Sequence, residues 1–136
     1  PIHSVFFGFD IDNLFIRIDF DKDLLSQYLE KGKLVITFIQ PQELQIHTSA
    51  FMDKPLRFTI KNKNYKYEGK DFYSISFGKI LELSCAFAVL DFFPGIDVEF
   101  FIELVKDNEI IQRMPLRTVF CFYVPSKDFE RMMWQV

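Results

Sequence analysis

Val5-Phe6-Phe7-Gly8-Phe9-Asp10-Ile11-Asp12-Asn13-Leu14-Phe15-Ile16-Arg17-Ile18-Asp19-Phe20 is the stretch that decides the fold. Val5, Phe7 and Phe9 form one apolar row, and Leu14, Ile16, Ile18 and Phe20 form another. Phe15, Arg17 and Asp19 alternate with the second row. A period of two places alternate side chains on opposite faces of a strand, so each row is the inward face of a half-buried strand. Between the rows, Asp10 to Asn13 supplies turn chemistry, because Asp and Asn side chains bond nearby backbone and tolerate left-handed conformations. The segment therefore predicts strand, tight turn, strand, a hairpin with its turn at residues 10–13.

The same period continues outward. Leu34 to Ile39 predicts a strand stopped by Pro41, and Leu44 to Ser49 a short one. Leu56, Phe58 and Ile60 alternate with Arg57, Thr59 and Lys61. Polar residues follow to Lys66, then a return strand from Tyr65 and Tyr67 and another from Phe72 to Phe77. Ile80 to Cys85 alternates, Ala86 to Phe93 suggests a single helical turn, and Pro94-Gly95 marks a bend. Val98, Phe100, Ile102 and Leu104 alternate with Glu99, Phe101, Glu103 and Val105. Asp107-Asn108 then turns into Glu109–Arg113, a second hairpin at residues 106–109. Thr118 to Val124 is the last strand. Residues 21–32 read as a connection with one helical turn, and Ser126 to Glu130 as a short turn or helix. The total is nine to eleven short strands and no long amphipathic helix. The fold class is all-β, an antiparallel two-sheet β-sandwich of the immunoglobulin-like or carbohydrate-binding-module-like kind. Such a sandwich uses residues 1–136 as one domain.

Composition narrows the function classes. Eighteen Phe stand beside five Tyr and one Trp in 136 residues, a bias that suits pleated, half-buried surfaces. Sixteen Lys and Arg against 19 Asp and Glu give a net charge of −3, without the basic stripe of a nucleic-acid binder. No apolar run has the length of a membrane-spanning helix, and no secretory leader opens the chain, so no membrane partner and a cytoplasmic location are expected. The chain starts at Pro1, not Met, which suggests a piece of a longer protein. With five Gly, it carries no Gly-rich phosphate loop, and no cofactor is expected.

Chemistry-bearing patterns are sparse. Asp19, Asp21, Asp23 and Glu30 match the first, third, fifth and twelfth positions of an EF-hand loop. The sixth position is Leu24, not the Gly its sharp turn needs, so a solvated strand end competes with a calcium site. His3 and His47 lack further ligands at zinc spacing. Cys85 and Cys121 both read as small buried hydrophobes in apolar strands. No nucleophile–base pair or nucleophile elbow is present, so an enzyme is not expected from this chain alone. Rings with a polar tip are the candidates for stacking on a sugar, as one shallow aromatic face involving Tyr65, Tyr67, Tyr73 or Trp134. Phe6, Phe15 and Phe101 alternate with the apolar rows, beside Arg17, Glu99 and Glu103. They are expected to point away from the core as one interface patch with Arg17.

The residues also resemble a family. Phe6-Phe7-Gly8-Phe9-Asp10 followed by Asp12-Asn13-Leu14-Phe15-Ile16-Arg17-Ile18-Asp19 resembles the hairpin that opens the C-terminal β-sandwich of glycoside hydrolase family 57 proteins. Ile80-Leu81-Glu82-Leu83 with Phe87, and Val98 to Glu103, are similar to later strands of that domain. Gln112-Arg113-Met114-Pro115 and Val124-Pro125-Ser126-Lys127-Asp128-Phe129-Glu130-Arg131-Met132-Met133-Trp134 are similar to its closing motifs. The matches run in order over residues 5–136. Three positions depart: Gln112 stands for a Glu, Met114 for a Trp and Ala86 for a Pro. The resemblance implies a non-catalytic accessory domain of an α-glucan-active enzyme. Its partners would be the catalytic domain of the parent chain and α-glucan or another carbohydrate. The family's catalytic carboxylates lie in a preceding barrel, and nothing here corresponds to them. A free-standing carbohydrate-binding module and a DOMON-like small-ligand domain are the alternatives.

Overall fold

The computed structural model describes residues 2–21, 31–53, 57–62, 65–67, 73–77 and 80–126, with the backbone alone at 62, 65–67 and 73–77. Eleven strands follow in order: β1 (Ile2–Phe9), β2 (Asn13–Phe20), β3 (Gly32–Gln40), β4 (Leu44–Thr48), β5 (Phe58–Asn62), β6 (Tyr65–Tyr67), β7 (Tyr73–Phe77), β8 (Ile80–Ala86), β9 (Asp97–Lys106), β10 (Glu109–Met114) and β11 (Phe120–Tyr123). Every pairing is antiparallel. A four-stranded sheet has the order β1-β2-β8-β7; a seven-stranded sheet has the order β10-β9-β3-β4-β5-β6, with β11 also on β9. The two pack together as a β-sandwich. No helix occurs among the described residues.

Local chemistry sets the turns. Asp10 Oδ1 accepts from the backbone N–H of Asp12 at 2.8 Å and of Asn13 at 2.7 Å, which closes the β1–β2 hairpin. Asp107 and Asn108 carry φ of 51° and 65° between β9 and β10. Two successive positive φ values give a turn whose twist matches its strands, and Asp and Asn bear them at low cost. Residues 87–91 form a single turn. Its start is held by Phe87 N–H donating to Asp12 C=O at 2.9 Å, and it sends Phe87, Leu90 and Phe92 into the core. Gly95, at φ 84°, turns the chain into β9.

The chain changes sheets between β2 and β3, between β6 and β7, and between β8 and β9. Since β2 pairs with β8 and β3 with β9, the first and third crossings connect neighbouring strands of one sheet to neighbouring strands of the other. Each sheet turns one apolar face inward. Leu14, Ile16, Ile18, Leu81 and Leu83 meet Leu34, Ile36, Phe38, Ile46, Phe100, Ile102 and Leu104. Val5, Phe7 and Phe9 pack on this core while partly buried. Much of the phenylalanine is spent on one cluster. Phe100 lies 5.3 Å from Phe7, 5.6 Å from Phe38 and 5.3 Å from Phe120, ring centre to ring centre. Offset and edge-on rings at these separations add to the area they bury.

At one corner the edges β1 and β10 meet. Gln112 Oε1 accepts from Ile2 N–H at 2.8 Å and Gln112 Nε2 donates to Ile2 C=O at 3.1 Å.

Three expectations change. Cys121 is exposed, not buried: it pairs with Glu99 on the outer side of β9, while its neighbour Phe122 takes the core position. Tyr65 and Tyr67 lie in the edge strand of the seven-stranded sheet and Tyr73 in the edge strand of the other, so these tyrosines do not share a sheet. Phe101 is on β9 whereas Phe6 and Phe15 are on β1 and β2, so the three rings belong to two different sheets. Most of the 21–32 connection and all but the first residue of the 126–130 segment lie outside the described residues.

Candidate functional site

The two outer faces of the sandwich differ in chemistry. On the four-stranded sheet, Phe6 is 54% exposed and Phe15 43%. Phe6 pairs in register with Arg17, and Gly8 with Phe15. The Arg17 guanidinium sits 5.5 Å from the centre of the Phe6 ring. It also donates to Asp19 through Nε at 2.9 Å and Nη2 at 3.2 Å. That hydrogen bond and the Asp19 charge raise the Arg17 pKa further, so the cation is permanent. A side chain at Gly8 would meet nothing within 4 Å. The patch is therefore two partly exposed rings beside bare backbone, with the Arg17–Asp19 ion pair at its side.

Phe101 is not part of that patch. On the other sheet, Arg113 lies 3.9 Å from the centre of its ring, and Arg113 also ties down the following loop through Pro115 C=O at 3.2 Å and Thr118 C=O at 3.0 Å. The ring and guanidinium support each other as a structural pair.

Of the calcium candidates, Asp19 is taken by Arg17 and Asp21 is engaged within the protein. Asp23 and Glu30 lie outside the described residues. Among the described residues no three His, Cys, Asp or Glu side chains gather at a metal-binding separation. The side chains of Tyr65, Tyr67 and Tyr73, and all of Trp134, also lie outside the described residues.

The outer face of the seven-stranded sheet carries a groove of about 410 Å³ that residue alternation alone does not reveal. Thr37, Phe38 and Ile39 of β3, Glu43, Leu44 and Gln45 at β4, and Lys61 of β5 line it. Thr37 pairs with Gln45 and Gln45 with Lys61, so three polar side chains form one row across three strands. An irregularity in β3 between Phe38 and Gln40 breaks the ladder where Ile39 stands 40% exposed. Below the row, His47 Nε2 lies 2.8 Å from Gln45 Oε1, and Gln45 Nε2 donates to Thr37 Oγ1 at 3.2 Å. An amide oxygen only accepts, so the His47 proton sits on Nε2 and every link points toward the groove. His47 Nδ1 is buried without a protein partner. Burial, with Lys61 and Lys33 nearby, pushes the His47 imidazole from 6.5 down to about 4. The only sequence signal for this array was the two-residue spacing of Gln45 and His47, which puts them on one strand face.

A pH dependence follows. The unfolded chain takes up a proton on His47 near 6.5 and the folded chain only near 4. The unfolded state thus binds more protons between those values, and stability falls as pH drops through that window. The thermal midpoint of the wild type should fall more steeply between pH 6.5 and 5 than that of His47→Gln, which cannot titrate. Parallel curves would show that His47 is not held neutral.

No family model, no curated protein and no solved structure matches this chain.

Proposed function

We propose that the chain is a non-catalytic accessory sandwich of an α-glucan-active enzyme of the family 57 kind, docking on a catalytic domain through the outer face of its four-stranded sheet. The observation that carries this reading is the pair of exposed rings, Phe6 and Phe15, beside Arg17. All three belong to the hairpin that bears the family resemblance. Fully burying a Phe side chain is worth about 1.5–3 kcal/mol, so two rings left in water favour a covered state. Arg17, held by Asp19 and half exposed, still offers its remaining N–H groups across an interface.

In the isolated chain this face should be sticky. Sedimentation velocity should show association that grows with concentration and disappears in Phe6→Ser/Phe15→Ser, with an unchanged far-ultraviolet circular dichroism spectrum. A wild type that stays monomeric at millimolar concentration would remove the support for this docking face.

A second reading, a carbohydrate-binding module, is favoured by the groove with its hydroxyl, amide, carboxylate and ammonium lining. Affinity electrophoresis separates the two. Retardation in amylopectin but not in unrelated polysaccharide gels, relieved by Gln45→Ala, would select the module.

A further inference from the structure

We propose that the groove across β3, β4 and β5 binds a small monocarboxylate, its charged end held by the row Thr37, Gln45 and Lys61 and its body laid against Ile39. This proposal is independent of the docking face, which lies on the other sheet.

The row is polarised. Gln45 spends its carbonyl on His47, and Thr37 spends a lone pair on Gln45. The groups left to face a ligand include three donors: the second amide N–H of Gln45, the hydroxyl hydrogen of Thr37 and the ammonium of Lys61. Adjacent strands lie about 4.8 Å apart, so the two oxygens of one carboxylate reach Gln45 and either neighbour. Lys61 makes no ion pair with a described residue. Lys61 and Lys33 both oppose a proton on His47, which places two positive charges near the row, while Glu99 and Glu103 stand on the β9 side of the same face.

The remaining lining sets the size and charge of the ligand. Glu43, itself engaged within the protein, puts a negative charge in the groove wall. A dianionic phosphate would meet that charge with one lysine in the row to offset it, whereas a single carboxylate at the Lys61 end is matched. Ile39 gives a body of CH groups an apolar surface. A groove of about 410 Å³ falls in the range of small-molecule sites.

The test is a titration followed by two-dimensional NMR of the whole chain. Hexanoate and glucuronate are the acidic probes, one an alkyl acid and one a sugar acid. Hexanamide and maltose are the uncharged ones. At least one acid should shift the amides of Thr37, Gln45 and Lys61 with saturation in the millimolar range, and neither uncharged probe should. Which acid binds decides the body of the ligand. Lys61 is exposed and its charge is screened by water, so Lys61→Gln should weaken binding about two- to fivefold, and Gln45→Leu by a similar factor. Lys31→Gln, the same charge change on a side chain outside the groove, should not. Equal binding of hexanamide or maltose at these amides, unchanged affinity in Lys61→Gln, or no saturable shift with either acid would each overturn the proposal.

Discussion

Phe100→Ala is expected to lose about 3–5 kcal/mol of stability, read as a large drop in the urea midpoint. Phe100 has no solvent exposure, and its ring packs on Phe7, Phe38 and Phe120. It sits on β9, the strand that pairs with β3, β10 and β11. The neighbours are rings anchored on several strands, so they cannot collapse far into the space left behind. Domains of this size have a total stability of about 5–15 kcal/mol, so the loss removes a large share of it. Phe101→Ala, one residue on, removes an equally large ring from the outer face. Its cost should be clearly smaller, because only the stacking on Arg113 and a partly buried surface are lost. Equal losses from the two variants would contradict the inward–outward assignment of β9.

Ile16→Asp should prevent folding at neutral pH altogether. Ile16 is 1% exposed and lies between Phe7 of β1 and Leu83 of β8 in register. A carboxylate there has no partner, and an unpaired ion in such surroundings takes up a proton instead of staying charged. Its folded pKa is raised, so any stability the variant keeps is present at low pH and lost as pH climbs above the ordinary carboxylate range. Arg17→Asp makes the matching change on the outer face and should keep the fold. Circular dichroism melts at neutral and acid pH check both. A well-folded Ile16→Asp at neutral pH would mean that β2 does not bury this row.

Alternation is legible in a sequence because it is a property of one strand. The hairpin at 10–13, the row Leu14, Ile16, Ile18 and Phe20, and the turn at Asp107-Asn108 each follow from residues within a few positions of one another. Which sheet a strand joins is a different kind of fact. Phe6, Phe15 and Phe101 share an outward orientation, yet β1 and β2 pair with each other while β9 pairs with β3. One expected patch therefore divides between opposite sides of the molecule. Tyr67 and Tyr73 part for the same reason, since the chain changes sheets between them. The groove was illegible in the same way. Thr37, Gln45 and Lys61 become a row only through two register relations among three strands. Cys121 shows a finer limit. In the run Phe120-Cys121-Phe122 both faces are apolar, so hydrophobicity alone leaves inward and outward unassigned, and the Cys121–Glu99 pairing decides it.

Gln112 has a consequence for how the molecule avoids joining its own kind. A strand at the rim of a sheet presents unmade backbone hydrogen bonds, a template on which another chain can polymerise. At the start of β1 the Gln112 side chain fills that template with a copy of the peptide group, one acceptor for Ile2 N–H and one donor for its carbonyl. The same amide links the rims of both sheets, so a single residue caps the start of the β1 rim at Ile2 and ties it to β10. An ionised Glu, the residue of the resembled motif at this position, has acceptors only. It would meet Ile2 N–H, leave the carbonyl unmet, and reopen half of the template.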